Sequence, residues 1–140
     1  MKKDFQKWHS KKASIHESEN RPGFHEREVW WCALGVNVGF EQDGGGKDFL
    51  RPVIVFKKFN KEIFWGIPLT NTKKDTEFYF QFTIFQLSAG DKDKDLKKIP
   101  SAAILSQMRL IDASRLSHKL GDIASVDFET LTKKFKALLP

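Results

Sequence analysis

Three polar clusters interrupt otherwise apolar stretches of this 140-residue chain. In the first, Glu41-Gln42 stands in a glycine-rich segment and Arg51 opens the clearest strand, Pro52-Val-Ile-Val-Phe56. A guanidinium there is fixed at its base by the strand and free at its tip to do chemistry. The competing reading is a surface ion pair of Arg51 with Asp48 or Glu41. The second cluster, Pro68-Leu69-Thr70-Asn71-Thr72, sets hydroxyl and amide groups at a strand end, where the same residue types also make turns. The third places Gln107 and Arg109 at alternate positions of one strand, hence on one face, with Asp112 and Arg115 nearby. A structural ion pair under the last helix stays open for Arg109 and Arg115.

The elements that must position these groups are mostly strands. Glu28 to Leu34 is an apolar, aromatic run ending at Gly35, and 36–48 holds Gly39, Gly44, Gly45 and Gly46, a loop composition that lets backbone approach a ligand. Asn60-Lys61 joins the strand at Pro52 to an antiparallel partner over Glu62 to Leu69. From Glu77 to Leu87, Phe78, Phe80 and Phe82 alternate with Tyr79, Gln81 and Thr83, the period of a half-buried strand. Asp91 to Lys98 is a mixed-charge run expected at an exposed loop tip. Two short strands are predicted around Gln107 to Ile111, then a helical turn over Ala113 to Leu120 stopped by Gly121. Ser125 is expected to cap a final helix bearing Phe128, Leu131, Phe135 and Leu138. At the start, Phe5, Trp8 and Ile15 are spaced for one face of a helix that must end before Arg21-Pro22-Gly23. Residues 1–24 therefore read as a helical N-terminal extension on a domain spanning 25–140. The pattern as a whole predicts a strongly bent barrel or α+β sheet.

Composition narrows the classes. With 24 Lys+Arg against 18 Asp+Glu the net charge is +6, and 40% hydrophobic residues suffice for a folded core, which excludes a disordered or collagen-like chain. That balance suits a polyanionic partner, nucleic acid or an acidic protein, and is equally met by a solvated surface. One cysteine, Cys32, excludes an internal disulfide and a cysteine-based zinc site, and four scattered histidines imply no metal. No apolar run reaches the length of a membrane span and the N-terminus has no hydrophobic stretch, so a cytoplasmic location without a membrane partner is expected.

Taken in order, Glu28-Val-Trp-Trp31, Val38-Gly-Phe-Glu-Gln42, Arg51-Pro-Val-Ile-Val55, Ile67-Pro-Leu-Thr70 and Gln107-Met-Arg-Leu-Ile-Asp-Ala-Ser-Arg-Leu116 resemble the MazF/PemK toxins of bacterial toxin–antitoxin pairs. The blocks keep the family's order over Glu28 to Leu139. The N-terminal extension with Trp8 and His16, and the insertion from Asp43 to Leu50, lie outside the basic family pattern.

The resemblance implies a mainly β, α+β fold: a small SH3-like antiparallel β-barrel (CcdB/MazF-like) with short helices and a C-terminal helix, acting as a homodimer. It implies a cofactor-free, metal-independent endoribonuclease that cuts single-stranded RNA to 2′,3′-cyclic phosphate and 5′-hydroxyl ends, with a cognate acidic antitoxin as partner. By the same resemblance Arg51 stabilises charge on the phosphoryl oxygens, Thr70 donates a hydroxyl hydrogen bond to that phosphate, and Glu41 is the candidate base. An electrostatic role suits Arg51 better than acid catalysis, because a guanidinium gives up its proton reluctantly. Gln42, Phe40, Gln107 and Arg109 are expected to contact RNA, with Phe40 as a stacking face or else a loop aromatic folded into the core. His16 and His25 carry imidazoles, the side chain most used as a general acid or base, and qualify if they reach the site. Two alternatives share the fold: a non-catalytic nucleic-acid-binding barrel, and a CcdB-like toxin directed at gyrase. The latter class ends in Trp-Gly-Ile, whereas this sequence closes on Ala137-Leu-Leu-Pro140.

Overall fold

The computed structural model describes residues 2–72, 74–87 and 96–140. Its elements are α1 (Phe5–Glu17), β1 (Glu28–Ala33), β2 (Leu50–Lys58), β3 (Ile63–Thr70), β4 (Tyr79–Leu87), β5 (Leu96–Ile104), β6 (Arg109–Asp112), β7 (Leu116–Ile123) and α2 (Ser125–Lys136). The sheet order is β2-β1-β7-β4-β5-β3-β6, and β3 also pairs with β2. Six antiparallel strands thus close into a barrel, which leaves no long free edge among them. β3 is shared along its length: Ile63 to Gly66 pair with β6, while Leu69 and Thr70 pair with β5. The barrel expected from the sequence is borne out.

The uninterrupted apolar runs of β1 and β2 follow from burial on both faces. Val29 and Ile54 pack with Ile67, Leu69, Ile84 and Leu131 in one core. Their neighbours Trp30, Cys32, Val53 and Val55 pack with Phe24 and Phe64 in a second. Burying each such aliphatic side chain contributes about 2 kcal/mol, so the two faces of these strands anchor the fold. β4 has one buried face, where Phe80 and Phe82 stack with centroids 6.0 Å apart, while Gln81 is exposed. Burial pushes the Cys32 thiol up to about 12, against the opposing charges of Arg115 and Arg109.

α1 docks on a third cluster. Trp8 packs against Ala33 and Phe49, its ring 5.3 Å from that of Phe49, with Ile15 alongside, while Phe5 is exposed. Asp4 caps the helix by accepting the Lys7 amide at 3.0 Å. Gly35 has φ +75°, and any Cβ there would run into the Trp8 indole. After the helix, Arg21 clamps the chain to the barrel through Asp112, at 3.1 and 3.2 Å.

Four local expectations are corrected. The helical turn predicted over Ala113 to Leu120 shrinks to a single 3-10 turn, Ala113–Arg115, and the chain then extends as β7. The barrel needs that strand between β1 and β4, and ladder pairing overrides the local helical spacing. Gly121 is accordingly no helix cap: it sits where β7 crosses β4, and a Cβ would come within 2.5 Å of the Phe85 carbonyl. Ser125 is the first residue of α2, with Ala124 in the cap position and no side-chain cap. Gln107 belongs to the 3-10 turn Leu105–Gln107 rather than to a strand with Arg109. Of the charged run Asp91 to Lys98, residues 91–95 lie outside the described residues and 96–98 begin β5. Among the described residues no helix is long and apolar enough to cross a membrane.

Candidate active site

Arg51 lies at the start of β2, opposite Cys32 of β1. On its other side, β2 and β3 pair with Val53 opposite Pro68 and Ile54 opposite Ile67. That register, carried two residues further, sets Arg51 across from Thr70, on the same face of the sheet. The Arg51 guanidinium is half-buried and held by backbone. Nε donates to the Asp43 carbonyl at 2.5 Å and Nη1 to the Leu69 carbonyl at 2.8 Å. With the Gln42 amide turned so that its oxygen faces the guanidinium, it accepts from Nη2 at 2.8 Å and Nε at 3.2 Å. Burial lowers the Arg51 pKa from its ordinary value, and the Asp43 charge opposes that shift. The surface pairing of Arg51 with Asp48 or Glu41 does not form: Asp48 faces Lys11 at 3.6 Å and Glu41 accepts the Val38 amide at 2.9 Å.

Arg51 and Thr70 line one cavity of about 370 Å³, together with Trp31, Pro52, Asn71 and Ser101. The Thr70 hydroxyl accepts the Thr72 amide at 3.2 Å, which occupies a lone pair and leaves its own proton to donate. Glu41, Gln42, Phe40, Gln107 and Arg109 line a second cavity of about 630 Å³ with Asn37 and Pro68. Gln107 stitches the loop to this wall: its Oε1 accepts the Gln42 amide at 2.6 Å and its Nε2 donates to the Phe40 carbonyl at 3.1 Å. The Phe40 ring is wholly exposed, so it is not the core aromatic of the alternative reading. Arg115 donates to the Ala33 carbonyl at 3.1 Å and covers the Trp8 ring, while Asp112 takes Arg21; the ion pair under the last helix is absent at these residues.

The structure thus divides the sequence-derived residues into two adjoining groups, Arg51 with Thr70 and Glu41 with Gln42, Phe40, Gln107 and Arg109. The contact of Gln42 with Arg51 joins them. His16 is exposed in the last turn of α1, and His25 holds Glu28 through its amide at 2.7 Å and Nδ1 at 3.5 Å; neither lines either cavity. Two residues beside the site escaped the sequence reading. Trp31 lines the Arg51 cavity and stacks on His118 with centroids 6.2 Å apart, a pair made by the β1–β7 ladder. The only sequence signal was the tryptophan doublet, which reads as core.

A family model described as PemK-like, MazF-like toxin of type II toxin-antitoxin system matches residues 25–139. The chain belongs to this family. A solved structure with the same fold is MazF (form I) from Deinococcus radiodurans, at 18% identity and a TM-score of 0.53, covering 86% of this chain and 97% of that one. No curated protein matches the sequence. Both cavities of this PemK/MazF-like toxin are formed within the matched span, whereas α1 and Arg21 precede it.

Proposed function

We propose that this toxin is a metal-independent, sequence-specific endoribonuclease acting on single-stranded RNA. The observation that carries the reading is the placement of Arg51 and Thr70 on one cavity, with Arg51 immobilised by two backbone carbonyls. A ribose 2′-oxygen attacks the adjacent phosphorus, the bond to the 5′-oxygen breaks, that oxygen takes a proton from water, and the ends are a 2′,3′-cyclic phosphate and a 5′-hydroxyl. The attack needs in-line placement and donors aimed at the phosphoryl oxygens, where negative charge accumulates. A guanidinium has five N–H donors, and the contacts to Asp43, Leu69 and Gln42 use three. The rest serve the phosphate, fixed in advance because the tether is backbone. Thr70 adds its hydroxyl proton to the same group, and Glu41, in the adjoining cavity, takes the 2′-hydroxyl proton. Gln42, Gln107 and Arg109 bind the flanking nucleotides, and the exposed Phe40 ring offers a stacking face.

The toxin acts in the cytoplasm as a homodimer, and its partner is an acidic antitoxin whose flexible segment folds over the basic groove. The net charge of +6 supports a polyanionic substrate and an acidic inhibitor alike. The test is incubation of purified protein with mixed-sequence single-stranded RNA in excess chelator. Wild type cuts at defined sites, and Arg51→Ala and Thr70→Ala do not. Intact RNA after incubation with folded wild-type protein overturns the proposal in favour of binding without cleavage or a gyrase target.

A further inference from the structure

We infer that Lys3, outside the family-matched span, is a positioning residue for the Arg51 site. Its kinetic consequence rests on the ribonuclease reading. The Lys3 ammonium donates to the carbonyls of Asn37 at 2.5 Å and Gly39 at 3.0 Å, and pairs with the Asp43 carboxylate at 3.1 Å. Its side chain is only 11% exposed, so a nearly desolvated charge is matched by three acceptors for its three N–H groups. All three acceptors lie on the short loop that carries Glu41 and Gln42.

That loop closes on the same carboxylate. Asp43 Oδ1 accepts the Asn37 amide at 2.7 Å, and the Asn37 side chain donates to the carbonyls of Gln42 at 2.9 Å and Leu34 at 3.2 Å. Asp43 then hands its own backbone carbonyl to Arg51 Nε. A continuous chain of polar contacts therefore runs from Lys3 through Asp43 to Arg51. Lys3 is delivered by α1, whose Asp4 cap and buried Trp8 fix the residues just before the helix. Remove the ammonium, and two loop carbonyls and a carboxylate lose their shared cation. The loop then no longer presents the Asp43 carbonyl at a fixed height.

The test compares wild type with Lys3→Met, which keeps the chain length and the Trp8 packing. In chelator-containing RNA cleavage, kcat falls about tenfold while KM changes less than about threefold, because the lost element is orientation of a group acting on the transition state. Lys3→Arg restores most of the rate. In NMR spectra of the free protein the Arg51 Nε–H signal moves, and the Asn37 and Gln42 amides exchange about tenfold faster. If kcat and the Arg51 signal both match wild type in folded Lys3→Met, the inference fails. If wild type does not cleave RNA, the ribonuclease reading fails separately and the Arg51 signal alone decides: a shift supports the positioning role, an unmoved signal overturns it. Should Lys3→Met not fold, Asp43→Asn reads the same link from the loop side, with the same shift expected and an unmoved signal again contradicting it.

Discussion

Arg51 Nη1 donates to the carbonyl of Leu69 at 2.8 Å, so the side chain that opens β2 is tied to the residue directly before Thr70 on β3. With the Asp43 carbonyl holding Nε from the other side and the Gln42 amide oxygen accepting from Nη2, the guanidinium is oriented before any substrate is present. A cation fixed before the substrate arrives needs no reorganisation when charge builds on phosphorus, which is where preorganised donors contribute most.

Arg51→Lys keeps the charge but loses both the fork and the bond to Leu69. The cleavage rate at saturating RNA is expected to fall about 100-fold or more, measured in chelator with matched thermal stability. A variant within about threefold of wild type would show that charge alone suffices there.

Gln107 holds both the Gln42 amide and the Phe40 carbonyl. Gln107→Ala frees the wall of the larger cavity, so RNA affinity weakens by about tenfold, the usual worth of one or two neutral hydrogen bonds. Titration of labelled RNA onto an Arg51→Ala background reads this without turnover.

Much of the fold was legible because burial writes itself into the sequence. The stretches 29–33 in β1 and 52–56 in β2 are apolar because their two faces pack in two cores, and β4 alternates because one face is wet. Arg51 and Thr70 were paired only by the family resemblance, and the antiparallel register of β2 and β3 supplies the physical reason they meet. β7 was misread because its pairing partners, β1 and β4, are distant in the chain, and Gly121 imitates a helix stop while its actual constraint is the Phe85 backbone. Lys3 was illegible for a similar reason: its acceptors lie 34 to 40 residues away and one lysine among several at the N-terminus carries no pattern.

Trp8 seats α1 on Ala33 and Phe49. Trp8→Ala is expected to destabilise the protein by about 3 kcal/mol in urea unfolding, near the low end for a buried aromatic since the helix can lift away. Gly35→Ala acts on the same seat through the clash with the indole, so the double variant loses less than the sum.

The Arg21–Asp112 clamp gives a pH signature. Burial alone would raise the Asp112 carboxyl, but hydrogen bonds from Arg21 and Ser114 and the Arg21 charge outweigh it and hold the group at about 2, against an ordinary 3.8. A depressed folded-state value means the stabilisation is fully present above the unfolded value and lost as pH falls through the folded one. The melting difference between wild type and Asp112→Asn is therefore constant above about pH 5 and shrinks from about pH 4 towards pH 2. A difference that grows on acidification contradicts this assignment.

In the proposed reaction the Arg51–Thr70 cavity promotes attack by a ribose 2′-hydroxyl. With the cut site mapped, an RNA carrying one 2′-deoxy sugar immediately 5′ to the scissile phosphate measures this directly, in chelator and alongside the all-ribose strand. The all-ribose RNA is expected to be cut to a cyclic phosphate and a 5′-hydroxyl while the singly deoxy RNA stays intact at that site. Cleavage of the deoxy RNA at the same bond would contradict it.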